Sequence, residues 1–340
     1  MAIKIWFDIV NVPQVHFQLG IYSGLNKSNY NAIFTVRDFF ETVKLFELKT
    51  NSEYIKIGNK YGKNKLTKLL YAFERFVKVH NLHAIYDVSI SNGSEEAILS
   101  SWLRGKGSIA FGDNDTAPQW TYARFVDFAF FPTAIDKQIL LKQGLKERKL
   151  IFYEGFKEDI YIADYIPDAA FLNKLPFTNY VLVRPENVFA NYVNKDSNIS
   201  ITHAILKRLT EKGINVLYLP KYSIDKEYAK GLKNIFMPDA PINGLDACYY
   251  SNAVITGAGT LAREAACLGV PAFSFFAGSR LLAVDKKMIT DKRMFHSRNP
   301  DELVNKVITS NKNQPDLSHS KIVKNQVINK LDEVINKLLS

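Results

Sequence analysis

VITGAGTLAREAACLGVPAFSF, residues Val254 to Phe275, reads as strand, glycine turn, helix, strand. Apolar β-branched residues lead into Gly257-Ala258-Gly259-Thr260, a helical run follows, and Pro271 opens a second apolar strand. A glycine turn at this place lets backbone N–H groups approach an anion, and the helix behind it presents the positive end of its dipole. The turn alone does not say which anion. A dinucleotide fingerprint belongs in the first βαβ unit and is followed by an acidic residue about 20 residues further on. Here the turn comes late in the chain, and the next strand runs into Ala277, Gly278, Ser279 and Arg280 without a carboxylate. The acid lies on the helix itself, at Glu264, where it can reach a ribose diol beside bound phosphates. That pattern favours a nucleoside diphosphate over a dinucleotide. The plainer alternative is a βα turn followed by a surface glutamate.

Working outward, the same layout recurs along the chain. IKIWFDIV, NAIFTVR, EYIKIG, AIYDVSIS, GSIAFGD, FAFFP and KLIFYEG read as short apolar strands, with helical patterns between them. After Phe156 to Phe177 the alternation restarts with NYVLVRPE, NVLYLP, NIFMPD, AVITGAG and PAFSFF. Such βαβα order implies parallel sheets with helices on both faces. At 340 residues the chain has room for about two domains. The expected division is a first Rossmann-like domain over 1–165, a linker over 166–177, a second over 178–315, and a closing helix over 316–340. Ligands of doubly wound sheets bind beyond the carboxyl ends of the strands, so two such domains facing each other would form one interdomain cleft.

A formal charge of +10 biases the protein towards anionic partners. Nucleic acid is not expected among them, for there is no zinc-finger spacing, no RNP-type aromatic strand and no dense Lys/Arg block. Membrane phosphates and sugar nucleotides remain. No apolar run reaches the roughly 18 residues of a spanning helix, and the N-terminus enters a strand pattern directly. A cytoplasmic protein is therefore expected, with peripheral contact at the inner membrane face left open. Cys248 and Cys267 lack CxxC spacing and read as buried, reduced thiols. The segment Lys65 to Val79 carries Leu66, Leu69, Leu70, Phe73, Phe76 and Val77 on one side, with Lys65, Lys68, Arg75 and Lys78 elsewhere. It reads as a core-facing helix with solvated lysines, a membrane-surface helix being the alternative.

The loops after the strands are polar. Asn11-Val12-Pro13-Gln14-Val15-His16 follows the first strand, and His16 there is either a general base or a helix-start histidine bonded to backbone. Asn92 and Glu95, in SNGSEE, suit a helix cap and acceptor contacts. Asp113-Asn114-Asp115 offers paired carboxylates for acid/base work or for capping; three residues do not make a metal site, and none is expected. In the second half Arg184-Pro185-Glu186-Asn187 concentrates a cation, a carboxylate and an amide at a strand end, with Arg184 able to pair a phosphate through its planar fork. His203 and His296 have no metal-ligand spacing and read as structural.

With these residues assembled, the sequence resembles the GT-B superfamily, and more closely an archaeal domain-of-unknown-function family within it. DIVNVPQVHF, SNGSEEA, FGDND, LVRPEN and GAGTLAREAACLGVPAFSF carry the resemblance, which spans essentially the whole chain. The last segment is similar to the donor site of the peptidoglycan N-acetylglucosaminyltransferase, in which a glutamate seven residues before a Gly-x-Pro proline binds ribose; Glu264 and Pro271 match. Arg184, Glu186 and Asn187 match an Arg-x-Glu-Asn segment of the non-hydrolysing UDP-N-acetylglucosamine 2-epimerases. The first loop, VNVPQVH, lacks the glycines of the transferase, and the arginine-bearing glycine motif of the epimerases is missing. The resemblance implies a GT-B fold and an inverting, metal-independent glycosyltransferase that uses a nucleotide-diphosphate sugar, UDP favoured, as substrate and needs no further cofactor. Gly257, Gly259, Thr260 and Arg184 would neutralise the diphosphate, and Glu264 would hold the ribose. Glu186, Asn187, Arg280 and Asp285 complete the donor side. His16, Asp113 or Asp115 would act on the acceptor proton, with Asn11, Asn92 and Glu95 on the acceptor side. The acceptor would be a glycan or lipid-linked. Sugar-nucleotide epimerisation through Asp113, Asp115 or Glu95 is the second reading, and a non-catalytic nucleotide-sugar-binding subunit the third.

Overall fold

The computed structural model describes residues 2–39, 41–59, 65–82, 85–186, 200–278, 280–311 and 314–340, the side chains of residues 65 and 68 excepted. The chain forms two units, Met1–Ala163 with Ser320–Ser340, and Asp164–His319.

The first unit alternates β1 (Ile3–Ile9), α1 (Val12–Gly24), β2 (Tyr30–Val36), α2 (Thr42–Lys49), β3 (Tyr54–Lys56), α3 (Lys65–His80), β4 (Val88–Ser91), α4 (Glu95–Leu103), β5 (Gly107–Phe111), β6 (Phe128–Pro132), α5 (Lys137–Lys142), β7 (Leu150–Tyr153) and α6 (Lys157–Ile162). Among the described residues these strands make one sheet in the order β3-β2-β1-β4-β5-β6-β7, every pairing parallel. Central strands of such a sheet are covered on both faces and so read as unbroken apolar runs. In β1 the run Ile5 to Ile9 is buried throughout, with Asp8 as its polar exception.

The second unit contains β8 (Val181–Arg184), α7 (Thr202–Glu211), β9 (Val216–Tyr218), α8 (Ser223–Lys226), β10 (Ile235–Phe236), α9 (Gly244–Tyr249), β11 (Ala253–Thr256), α10 (Gly259–Cys267), β12 (Ala272–Ser274), α11 (Ala283–Thr290), β13 (Met294–His296) and α12 (Pro300–Thr309). Its sheet runs β10-β9-β8-β11-β12-β13, again parallel. One core cluster joins Val183 and Ile255 of the sheet to Ile205 and Leu209 of α7 and Leu303 and Val307 of α12. The stretch expected as a linker is held to this unit: Asp246 accepts hydrogen bonds from the Tyr165 hydroxyl and from the Asp168 amide, and Phe171 is buried against the Tyr250 ring. Cys248 and Cys267 are both buried.

The last helix, α13 (Ser318–Leu339), brings Ser320–Ser340 back to the first unit. Val323, Val327, Leu331, Val334 and Ile335 form its buried stripe, Ser320 donates to Asp159, and Lys324 reaches Ser23. It packs so closely that a Cβ on Gly155 would lie 2.5 Å from Val323 Cγ2. Gly155 also has φ +104°, where other residues are strained. No helix among the described residues is long and apolar enough to cross a membrane.

Candidate functional site

In each sheet the strand order reverses once, and the carboxyl ends of the strands at such a reversal are where doubly wound sheets bind their ligands. In the second unit the reversal lies between β8 and β11, whose last residues, Arg184 and Thr256, are register partners. The loops that follow touch backbone to backbone. The Gly257 amide donates to the Arg184 carbonyl at 3.0 Å, and a Cβ on Gly257 would stand 2.6 Å from Glu186 Cα and 2.7 Å from its amide nitrogen. Gly257→Ala is therefore expected to force these loops apart and destabilise the unit by about 1–3 kcal/mol. An unchanged unfolding midpoint would show that they do not pack this way.

Thr256 Oγ1 accepts from the Ala258 amide at 2.9 Å, which turns the chain into α10. Ala258, the N-cap residue, supplies no side-chain cap, and the first turn holds no acid. Amides and helix dipole together make this end attractive to an anion. Arg184 and Glu264 are brought to the same neighbourhood, because both act on the buried Cys248 thiol of α9. Its pKa is pushed well above the usual thiol value, first by burial and then by the Glu264 charge, with Arg184 opposing.

Other expected donor-side residues are occupied within the protein. Glu186 is buried; its carboxylate accepts from the Ser200 and Thr202 hydroxyls at 2.6 Å each, from the Ile201 amide at 3.2 Å and from Arg298 Nη1 at 2.8 Å. Four donors fill the four lone-pair sites of a carboxylate, so Glu186 anchors its loop to the start of α7 rather than presenting an oxygen to a ligand. Asp285 is taken by Arg263, which sequence reasoning missed: Nη1 lies 2.8 Å from Asp285 Oδ1, and Nη2 lies 3.4 Å from Thr260 Oγ1. The Arg263 guanidinium folds back over the first turn of its own helix, 3.1 Å from where a Gly259 Cβ would be. A buried cation at a positive helix end is unfavourable alone, and Asp285 offsets it. Its signal in the sequence is an arginine one turn into a glycine-initiated helix. Arg280 is exposed beyond β12, and Asn187 lies outside the described residues.

In the first unit the reversal falls between β1 and β4, where Asp8 pairs in register with Ser91. Asp8, fully buried, accepts from Arg75 Nη2 at 2.7 Å, Thr35 Oγ1 at 2.6 Å and Ser94 Oγ at 2.5 Å. Ser94 caps α4 by accepting from the Ala97 amide, and Glu96 Oε2 stands 3.2 Å from Arg75 Nη1. Gln18 Nε2 donates to Asn92 Oδ1 at 2.8 Å and ties α1 to the β4 loop. Gln18 Oε1 and Asn11 Oδ1 are buried without a hydrogen-bond partner among the described residues. Asn92 is thus tied to α1 through Gln18, and Asn11 stands at the N-cap of the same helix.

His16 lies apart from them, since residues two apart on a helix do not share a face. Its ring stacks on Tyr161 of α6, with centroids 5.6 Å apart and planes at 27°. Burial, and then the nearby Lys49 charge, lowers its pKa from near 6.5 to about 4. Asp113 pairs with Lys157 Nζ at 2.6 Å. Lys157 and Tyr161 are one turn apart on α6, so His16 and Asp113 line the same helix. Asp115 is buried, and Glu95 is exposed at the start of α4 with a hydrogen bond to the Thr121 side chain. No group of three or more His, Cys, Asp or Glu among the described residues could hold a metal ion.

The sequence pattern of a protein family of unknown function, DUF354, matches residues 3–336. The chain belongs to this family. It is 27% identical over 328 residues to the uncharacterized protein MJ0665 of Methanocaldococcus jannaschii, covering 90% of this chain and 91% of that one. Among solved structures, the UDP-GlcNAc 2-epimerase of the same organism superposes with a TM-score of 0.71 at 15% identity, over 97% of this chain and 100% of that one. It has also been solved with UDP-GlcNAc and UDP. The glycotransferase of kitacinnamycin gives a TM-score of 0.64 at 10% identity, with the full length of both chains covered. At such identities the likeness shows the fold. The DUF354 chain has two Rossmann-like parallel-sheet domains, in the GT-B fold.

Proposed function

We propose that this DUF354 protein binds a nucleoside-diphosphate sugar at the carboxyl ends of β8 and β11 and transfers the sugar, with inversion, to an acceptor hydroxyl. UDP is the favoured nucleotide. The observation that carries the reading is the α10 start, a helix end without a side-chain cap behind the Gly257 turn, with Arg184 and Glu264 in one neighbourhood. The helix amides and Arg184 take the diphosphate, and Glu264 accepts from the ribose hydroxyls. Arg263, locked by Asp285, supports the turn from behind.

In the transfer the acceptor oxygen bonds to the anomeric carbon while the bond from that carbon to the phosphate oxygen breaks, and the electron pair leaves with the diphosphate. Stabilising the charge that grows on the leaving group is the larger contribution, as donors fixed in advance need no reorganisation during reaction. The acceptor proton goes to the neutral imidazole of His16, or else to the Asp113 carboxylate. No metal or further cofactor is required.

Glu264→Gln is expected to weaken UDP binding by about 1.5–3 kcal/mol, the worth of a charged hydrogen bond, or roughly tenfold to a hundredfold and more in Kd. Calorimetry giving equal affinities would remove Glu264 from the site. The likeness to 2-epimerases supports a second reading, in which Asp113, Asp115 or Glu95 moves a proton of the sugar itself. Incubation with UDP-N-acetylglucosamine and no acceptor separates the two. Transfer predicts an unchanged sugar, whereas accumulation of the 2-epimer decides for epimerisation. Tight donor binding without turnover on any glycan or lipid-linked acceptor points to a binding subunit.

A further inference from the structure

Near the carboxyl end of each sheet a buried acid is paired with an arginine from a distant part of the chain. In the first unit Asp8 holds Arg75 inward, and the α3 residues Leu66, Leu69, Leu70 and Phe73, expected on the core side, are exposed instead. In the second unit the acid is Glu186, its side chain 1% exposed, and the arginine is Arg298, 112 residues further on.

Arg298 Nη1 donates to Glu186 Oε1 at 2.8 Å and to the Phe275 carbonyl at 2.7 Å. Glu186 follows β8 and Phe275 follows β12, and β11 runs between those two strands in the sheet. One guanidinium nitrogen therefore spans the end of β11, where the Gly257 turn begins. The turn rests on both groups that Arg298 holds. The Phe275 amide donates to the Thr256 carbonyl at 2.9 Å, and Glu186 supplies the three atoms nearest to where a Gly257 Cβ would stand. Arg298 is itself carried on a fixed bend between β13 and α12: the Ser297 amide donates to the Ser274 carbonyl at 3.1 Å, and Asn299 caps α12 by accepting from the Asp301 and Glu302 amides. A buried carboxylate that loses its cation is strongly destabilised, so the Glu186 loop cannot keep this place without Arg298.

We propose that Arg298 is a positioning residue of the donor site. Through Glu186 and Phe275 it fixes the Gly257 turn, and with it the first amides of α10, in the place where the diphosphate is bound. The inference rests on the donor-site reading above, and it requires no contact between Arg298 and the nucleotide. The contribution lies in holding the donors in place before the ligand arrives.

The test sets Arg298→Lys and Arg298→Ala beside Arg208→Ala, which breaks the Arg208–Asp301 pair between α7 and α12 and leaves Glu186 untouched. A lysine keeps a charge beside Glu186 but lacks the planar fork that serves two acceptors at once. In calorimetry well below the unfolding midpoint, Arg298→Lys should bind UDP about tenfold more weakly than the parent, Arg298→Ala at least as weakly, and Arg208→Ala equally well. Hydrogen exchange of the Gly257 and Ala258 amides without nucleotide reads the turn itself, and it should quicken by about tenfold in Arg298→Lys and stay unchanged in Arg208→Ala. Should Arg298→Ala fail to fold, the lysine variant carries both measurements. The inference is overturned if Arg298→Lys matches the parent in either one, or if Arg208→Ala loses as much, which would make the effect one of general stability. A parent that does not bind UDP overturns the donor-site reading instead, and the exchange then decides whether Arg298 holds the turn.

Discussion

Asp8→Ala is expected to cost the first unit about 3–5 kcal/mol, the usual price of stranding one charge of a buried pair. Asp8 is fully buried in the central strand, and the partner it would abandon, Arg75, is 3% exposed. Among the described residues Arg75 Nε and Nη1 have no aligned hydrogen bond, and Glu96 approaches Nη1 as an ion at 3.2 Å. Asp8 therefore accepts the one well-directed bond that the guanidinium makes among them. Thr35 and Ser94 would lose their acceptor in the same step, and Ser94 caps α4. Replacing both charges together, as Asp8→Leu with Arg75→Met, should cost far less than either change alone, since no charge is then left buried. Urea unfolding followed by Trp6 emission suits the measurement, because Trp6 Nε1 donates to Thr35 Oγ1 inside this network. A loss under about 1 kcal/mol for the single variant would put the pair among ordinary surface ion pairs.

The same pair shows what the sequence carried and what it hid. An aspartate inside IKIWFDIV is itself a sign of a buried charge in need of a partner, but Arg75 lies 67 residues away on a helix whose apolar stripe drew the attention. Periodicity tells which residues of α3 share a face; it does not tell what covers that face. The parallel strands were legible because double-sided burial makes them continuous apolar runs, whereas β13 has only Met294 and Phe295 as apolar residues between Arg293 and His296 and leaves no run to read. Around the candidate donor site the Gly257 turn was legible from its glycines. The roles of the acids were not: Glu264 and Glu186 look alike in sequence, and only the fold brings Ser200, Thr202 and Arg298 to Glu186 and Arg263 to Asp285. A carboxylate aimed at a ligand and one that anchors a loop differ in their distant partners, which local spacing does not encode.

His16→Ala is expected to lower single-turnover transfer by about 100-fold or more and to leave UDP-sugar affinity near the parent value, the division between rate and binding that marks a general base. The acid limb of the parent pH profile provides a second and sharper readout. Burial and Lys49 hold the His16 pKa near 4 in the free protein, so kcat/KM should stay flat from neutral pH down through 6 and fall only as the pH nears 4. Stability follows the same shift. The folded protein holds His16 neutral between about 4 and the unfolded value near 6.5, while the unfolded chain takes up a proton there. The contribution of His16 is thus complete above pH 6.5 and is lost as the pH falls towards 4, by roughly 3 kcal/mol. His16→Gln should remove that acid sensitivity. A kcat/KM limb at 6.5 would contradict the buried neutral ring, and an unchanged single-turnover rate in His16→Ala would pass the role of base to Asp113 beside Lys157.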